Sequence, residues 1–420
     1  MYQAPRGTLD RLPEDQAYWN YVEKTAADVA ALYGYSRLDT PVFEDSGLFI
    51  RSVGEGTDIV EKEMYTFNDL GGNSVTLRPE GTAPVCRAYV EHGMQNLTQP
   101  VKLYYLMSIY RYERPQAGRL REFHQFGFEA IGESSALIDA EVIDMSCRFY
   151  RELGLKDLKL LVNSIGCQDC RKEYLNALRE YYKAHVDELC DDCKKRLEKN
   201  TLRVLDCKKP GCKPLADNAP RSTDHLCDDC KAHFEQLTAR LDQLGLDYKI
   251  DHRLVRGLDY YTRTVFEVRS NAVGSQDAIC AGGRYDNLVK ELGGQQIPSV
   301  GFALGSERVL MAAQNTGFFD KLPKSDVVFI ALADNELFNE AFKFANNLIL
   351  NKDNIRQKFN LPENIVVEGP FLNKSLKSQF KLADKLGASK TVLFGKTEFD
   401  KGNVVVKDMK TQQQQEISLS

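Results

Sequence analysis

KLYYLMSIYRYERPQAGRLREFHQFGFEAIG, Lys102 to Gly132, decides how this chain is read. Two apolar-polar alternating runs flank the arginine-rich loop RPQAGRLRE, the pattern of two antiparallel strands with a long connection. Period-two spacing puts Arg111 and Glu113 on one face. On the return strand it groups Phe123, Gln125, Gly127 and Glu129, and turns His124, Phe126 and Phe128 the other way, toward a core. A face that polar is expected to line a cleft.

A second segment, LVRGLDYYTRTVFEV from Leu254 to Val268, puts a cation, a glycine, a carboxylate and two tyrosines into a short turn and strand. The β-branched and aromatic residues predict a strand from Thr262 to Val268, with Arg256 and Gly257 just ahead of it, where a ligand can come close. Adjacent Tyr260 and Tyr261 are expected on opposite faces. The same residues also fit a buried strand with a snorkelling arginine.

TLRPEGTAPVCRAYVEHGM joins a Pro/Gly-broken turn to a helix, with Thr82 as the expected N-cap and Pro84 in the first turn. Glu80 and Thr82 then stand at a helix mouth, which also fits a capping threonine beside a solvated glutamate. Arg111, Glu129 and Arg256 thus come from three segments that are otherwise apolar, and charges in such settings need partners or ligands. A phosphate together with an amino acid would satisfy both signs, and so would an internal ion-pair network.

These motifs resemble the histidyl-tRNA synthetases, class II aminoacyl-tRNA synthetases, over nearly the whole chain. PRGTLDRLP at Pro5 is similar to the family's opening, and GYSRLDTPVFED to class II motif 1, with Pro41 as its dimer-interface proline. YRYERPQAGRLREFHQFGFEAIG resembles motif 2, and GFALGSERVL, Gly301 to Leu310, motif 3. RGLDYY at Arg256 and AGGRYDNLV at Ala281 look like the two histidine-specific signatures.

The resemblance implies that Arg111 binds the α-phosphate of ATP and the histidine carboxylate, that Arg308 stacks on adenine, and that Glu113 lies near the adenine end. It implies that Glu80 and Thr82 hold the α-amino group, with Gly81 between them in the histidine site, while Gln125, Glu129, Tyr260 and Tyr261 surround the amino acid. Arg256 becomes the catalytic cation opposite Arg111, in the place that other class II enzymes give to a metal ion. Arg114, Arg119 and Arg121 of the motif 2 loop are expected near the tRNA acceptor end; a solvated hairpin tip is the plainer reading. The implied reaction joins L-histidine to ATP with loss of pyrophosphate and then charges tRNA(His), with Mg²⁺ accompanying the nucleotide. Arginines without a Ser-His or Cys-His pairing fit such phosphorus-centred chemistry.

The chain of 420 residues, 43% hydrophobic, suffices for two or three domains with real cores. Its net charge of −5 tells against indiscriminate nucleic-acid binding, though local basic surfaces suffice for a synthetase. No apolar run spans a bilayer, and Pro5 to Pro13 is polar where a signal peptide is apolar, so no membrane association and a cytoplasmic location are expected. Amphipathic helices are predicted from about Glu14 to Tyr33, with Tyr18, Val22, Ala26 and Val29 as the stripe, and from about Leu137 to Leu153, leading into the strand LKLLVNSIG.

Eight of the eleven cysteines fall between Cys167 and Cys230, as Cys167/Cys170, Cys190/Cys193, Cys207/Cys212 and Cys227/Cys230. In a cytosolic protein this spacing favours structural Zn²⁺ over disulfides; reduced thiols without metal remain an alternative, and the spacing leaves the pairing open. GFFDKLPK, Gly317 to Lys324, reads as a linker, and beyond it the chain alternates strand and helix. That part resembles the family's anticodon-binding domain, while the tail TQQQQEISLS stops before the last helix usual in the family.

The expected fold is therefore α+β: a class II antiparallel sheet flanked by helices over residues 1–165 and 246–318, a small helical cysteine-rich insertion over 166–245, and an α/β anticodon-binding domain over 325–420. The resemblance also implies a homodimer. The contrasting reading is a non-charging, synthetase-like regulatory subunit that binds histidine; such paralogues usually lack the C-terminal domain.

Overall fold

The computed structural model describes residues 2–54, 57–116, 118–256, 258–274, 277–321 and 326–419. The chain divides into two compact units, Met1–Lys321 and Leu322–Ser420. In the first, α1 (Pro13–Leu32) begins at a proline, whose missing N–H is no loss in a first turn, and buries Trp19, Val22, Ala26 and Val29. Tyr18 sits at the edge of that stripe and stacks on Phe319. The segment expected as a linker therefore starts docked: Phe319 is buried, because two adjacent phenylalanines find aromatic partners on α1. Residues 322–324 of that linker lie outside the described residues.

Four short strands, β1 (Ser36–Arg37), β2 (Phe43–Asp45), β3 (Tyr65–Asn68) and β4 (Ser74–Leu77), precede the long hairpin of β5 (Val101–Tyr110) and β6 (Glu122–Ile131). They are followed by β7 (Leu158–Ser164), β8 (Tyr248–Ile250), β9 (Thr262–Ser270), β10 (Ala278–Arg284) and β11 (Ser299–Gly305). Among the described residues these form an eight-stranded sheet in the order β1-β5-β6-β11-β10-β9-β7-β8 and a three-stranded sheet β2-β4-β3. The run from β5 to β7 is antiparallel throughout, and the edge pairs β1–β5 and β7–β8 are parallel.

Helices α2 (Ser46–Val53), α3 (Thr82–Glu91) and α4 (Ala136–Glu152) flank the sheet. Between β7 and β8 the chain makes a helical excursion: α5 (Gln168–Ala184), α6 (Asp191–Lys199), α7 (Lys213–Asp217) and α8 (Asp228–Gln243). Two further helices, α9 (Leu288–Glu291) and α10 (Ser306–Asn315), bracket β11.

Buried ion pairing fixes the core of this unit. Arg284 of the AGGRYDNLV segment is fully buried against Asp139 of α4, and Thr264 of β9 donates to the same carboxylate at 2.6 Å. Arg78 is likewise buried, donating to the carbonyls of Thr40, Pro41 and Ser108 at 2.7–3.0 Å, so one guanidinium ties the Pro41 turn to β5. Desolvated guanidinium groups are tolerated only with such complete pairing.

The second unit contains β12 (Asp326–Leu332), α11 (Phe338–Leu350), α12 (Ile355–Lys358), β13 (Ile365–Glu368), α13 (Leu376–Lys385), β14 (Ala388–Phe394), β15 (Asn403–Asp408) and β16 (Gln414–Ser418). Its sheet order is β13-β12-β14-β15-β16, with β12 parallel to both neighbours and the last two strands antiparallel. The buried Gln379 amide exchanges two hydrogen bonds with the backbone of Leu332, docking α13 on the end of β12. Among the described residues, no helix is long and apolar enough to cross a membrane.

Candidate active site

A cleft of about 600 Å³ opens over one face of the large sheet. Its floor is made of small residues on β10 and β11, because Gly301 pairs with Glu129, Ala303 with Gly127 and Ala281 with both Ala303 and Glu267. Without bulky side chains in the middle, charged groups rise from the flanking strands around an open centre.

At one end the Glu129 carboxylate is buried and hydrogen-bonded. It accepts from the Thr82 hydroxyl at 2.8 Å and the Tyr285 hydroxyl at 2.5 Å, with Tyr105 at 3.5 Å. Burial pushes its pKa up to about 8, against the lowering hydrogen bonds from Tyr285 and Thr82. Close packing makes the pocket: a Cβ on Gly301 would fall 1.8 Å from a Glu129 oxygen, and one on Gly127 would fall 2.0 Å from the Tyr105 ring. Gly81 likewise leaves room for that ring.

Glu80 is buried too, and burial raises its pKa despite bonds from the backbone N–H groups of Ala83 and Thr82 at 2.7 and 2.8 Å. This corrects the expected cap. Thr82 is the first residue of α3 rather than its N-cap, and the Glu80 carboxylate covers the free N–H groups that a threonine would otherwise serve, releasing the Thr82 hydroxyl for Glu129.

Tyr260 and Tyr261 do not point to opposite faces as expected. β9 starts only at Thr262, so the period of a strand does not reach them, and both rings are buried 4.8 Å apart in the same cluster. The Tyr260 hydroxyl approaches Glu80 at 3.5 Å.

Toward the other end, Arg111 donates to the carbonyl of Pro79 at 2.7 Å and stands 4.0 Å from Glu113, which pairs with Arg119 at 3.3 Å. Arg308, from α10, donates to Gly118 and Ala278 carbonyls at 3.0 and 2.8 Å. Burial and the neighbouring Arg119 push its pKa down, an excess of positive charge suited to an anion. Arg256 is held by Glu267 at 3.0 Å, and Glu267 is also bound by Arg269, while the Arg256 Nε is buried without a partner among the described residues.

The cleft thus gathers Glu80, Thr82, Arg111, Glu113, Gln125, Glu129, Arg256, Tyr260, Tyr261 and Arg308. Of the loop arginines only Arg119 lines it; Arg121 lies over the Tyr112 ring at 3.9 Å and Arg114 is exposed. Gly257 and Ala117 lie outside the described residues. Tyr105, Tyr285 and Glu267 carry no signal of their own in the sequence. Tyr285 stands within AGGRYDNLV and Glu267 within the strand after RGLDYY, but only the folded register brings them to these partners. The eight excursion cysteines fall into two clusters, Cys167, Cys170, Cys227, Cys230 and Cys190, Cys193, Cys207, Cys212.

Chemically the cleft offers a polar pocket with paired carboxylates at one end and a row of guanidinium groups along the rest. The family model of histidyl-tRNA synthetase matches residues 7–309, and that of an anticodon binding domain matches residues 326–420. A curated histidine–tRNA ligase from Dehalococcoides mccartyi is 53% identical over 419 residues, covering 100% of this chain and 97% of its own. One from Caldanaerobacter subterraneus is 49% identical, covering 99% and 97%. The crystal structure of apo histidyl-tRNA synthetase from S. aureus matches with a TM-score of 0.81 at 39% identity, covering 100% of this chain and 98% of that one.

Proposed function

The chain belongs to the histidyl-tRNA synthetase family, and we propose from that premise that it is an ATP-dependent histidine–tRNA ligase working through the cleft described above. The single observation that carries the site assignment is the separation, within one cleft, of a buried carboxylate pocket from a line of arginines. L-histidine and MgATP are the two substrates that such a division fits.

In this reading the pocket takes the amino acid. Glu129 accepts from the imidazole N–H, with Gln125 and the tyrosines around it, and Glu80, beside Gly81 and Thr82, receives the α-ammonium. A buried polar pocket of this kind rejects amino acids that leave its groups unpaired. Arg111 and Arg256 clamp the α-phosphate and Arg308 holds the adenine end, near Glu113. The histidine carboxylate oxygen attacks the α-phosphorus, and the bond to pyrophosphate breaks. The terminal ribose hydroxyl of tRNA(His) then attacks the histidyl carbonyl and releases AMP. No protein nucleophile takes part; positioning and charge neutralisation supply the catalysis.

Residues 1–165 and 246–318 are assigned to the catalytic core, 166–245 to the insertion and 325–420 to anticodon binding, with Arg114, Arg119 and Arg121 facing the acceptor end. A homodimer through the Pro41 turn is supported by exposed Val42 and Phe43 beside it. The location is the cytoplasm, where the insertion thiols stay reduced and suit structural zinc. Against the regulatory alternative stand the anticodon-binding match and the complete cleft.

The test is ATP–pyrophosphate exchange across a panel of amino acids without tRNA. Exchange that depends on histidine is expected; folded protein that binds histidine yet exchanges with no amino acid would overturn the ligase reading.

A further inference from the structure

The two cysteine clusters are nested in sequence, and they differ in what they hold. Cys167 and Cys170 open α5 directly after β7, and Cys227 and Cys230 open α8, so the outer cluster joins the entry of the excursion to its return helix. The inner cluster, Cys190 and Cys193 at the start of α6 with Cys207 and Cys212, closes the far part.

Within each cluster the four sulfur atoms lie within 4.8 Å of one another. A tetrahedral zinc with bonds of about 2.3 Å needs sulfurs about 3.8 Å apart, so small side-chain adjustments suffice. The Cys167–Cys170 and Cys190–Cys207 sulfurs stand 3.5 and 4.0 Å apart, far beyond a disulfide bond of about 2.05 Å.

The surroundings suit thiolates. Cys167, Cys190 and Cys227 are each the N-cap of a helix, and backbone N–H groups of Cys227 and Cys190 donate to the sulfurs of Cys170 and Cys212 at 3.0 and 3.3 Å. Beside the inner cluster the buried Tyr182 hydroxyl has no hydrogen-bond partner among the described residues, a donor waiting for a charged acceptor.

The inner cluster also adjoins the cleft. The turn Thr201–Val204 lies between its two halves, and Leu202 and Val204 pack in one apolar cluster with Val255, the residue before Arg256. From this part Arg196, Arg203 and Lys208 line the cleft. Arg203 donates to Asp58 at 3.2 Å and Lys199 to Glu61 at 3.4 Å, latching the turn onto the catalytic body.

We propose that the excursion carries two separate zinc-tetrathiolate sites, and that the inner one positions Arg196, Arg203 and Lys208 over the phosphates of the nucleotide. The second half rests on the reading of the cleft as an ATP site; the first does not. The sites are structural, since four thiolates leave no position for water.

The test is the metal content of the full-length protein purified without chelator, repeated after exchange into cobalt(II). Two zinc ions per chain are expected, with tetrahedral thiolate–cobalt absorption, and one each for Cys190→Ser/Cys193→Ser and Cys227→Ser/Cys230→Ser. Fewer than two ions in the wild type, or thiols recovered as disulfides under reducing purification, would overturn the sites. The inner-site variant and Arg203→Ala, which keeps every thiol, should both raise the KM for ATP, by about tenfold for the loss of one charge-assisted contact, with the KM for histidine unchanged. If the inner-site variant does not fold, Arg203→Ala alone decides, and an unchanged KM for ATP overturns the positioning role. Two zinc ions in a protein without histidine-dependent exchange would refute the ligase reading and leave the sites standing.

Discussion

Glu129→Gln replaces one carboxylate oxygen with an amide nitrogen at nearly constant volume, so the packing against Tyr105 and Gly301 is kept while the charge and one acceptor oxygen are lost. Hydrogen bonds to a charged group are worth about 1.5–3 kcal/mol, so histidine should lose roughly 10- to 150-fold in kcat/KM while the KM for ATP stays within twofold. The pH dependence carries the sharper test. Burial holds the Glu129 carboxyl protonated up to about pH 8, and the form that accepts from imidazole is the ionised one. In the wild type, kcat/KM for histidine should therefore climb as pH rises toward 8, and in the glutamine variant that limb should vanish. The same raised pKa has a stability sign. The protonated form is favoured by folding, so this contribution is complete below the ordinary carboxylate range and is lost as pH rises from there through about 8. Melting temperature should then fall less between pH 5 and 9 in the variant than in the wild type. Pyrophosphate exchange over that pH range, with ATP and histidine varied in turn, measures the kinetics. A variant with unchanged kcat/KM for histidine, or one that keeps the alkaline rise, would refute the assignment of Glu129 to the imidazole.

Tyr285→Phe removes a hydrogen bond that favours the ionised Glu129, so the histidine limb should move to higher pH; a shift to lower pH in the same exchange assay contradicts the pairing. Arg256→Ala should cut single-turnover adenylate formation by roughly 10²- to 10³-fold with an unchanged melting temperature, since Arg269 remains to pair Glu267; normal activation would exclude the clamp. Gly301→Ala, whose methyl would collide with Glu129, should cost about 1–3 kcal/mol of stability and weaken histidine binding in calorimetry more than ATP binding; equal binding of both ligands sinks the close-packing argument. Phe43→Glu should convert a dimer to a monomer in light scattering, and a wild-type monomer would end the proposal of a homodimer through the Pro41 turn.

The architecture of the large sheet was legible because its strands are long and its alternation is clean. β5 buries every second residue from Val101 to Ile109, and that period alone fixes which way Gln125 and Glu129 face once the hairpin pairs. β16 escaped because it is glutamine-rich and almost wholly exposed, so no apolar period marks it. It is ordered as a strand by pairing with β15, a tertiary effect invisible to a local pattern.

The site was readable in its charged members and obscure in its neutral ones. Arg111, Arg256 and Glu129 announce themselves, since a charge in an apolar run demands an explanation. Tyr105 and Tyr285 do not, because a tyrosine in a core strand or after a glycine pair is ordinary, and only the folded register puts both hydroxyls on one carboxylate. The Thr82 cap shows the limit most directly. Local preference predicts that a threonine before a helix spends its hydroxyl on the backbone. Here Glu80 takes over that duty from two residues upstream, and the freed hydroxyl becomes a partner of Glu129, forty-seven residues away. A local rule fails at this position because a long-range pair competes for the same hydroxyl, and the residue that loses its local role is one that lines the pocket.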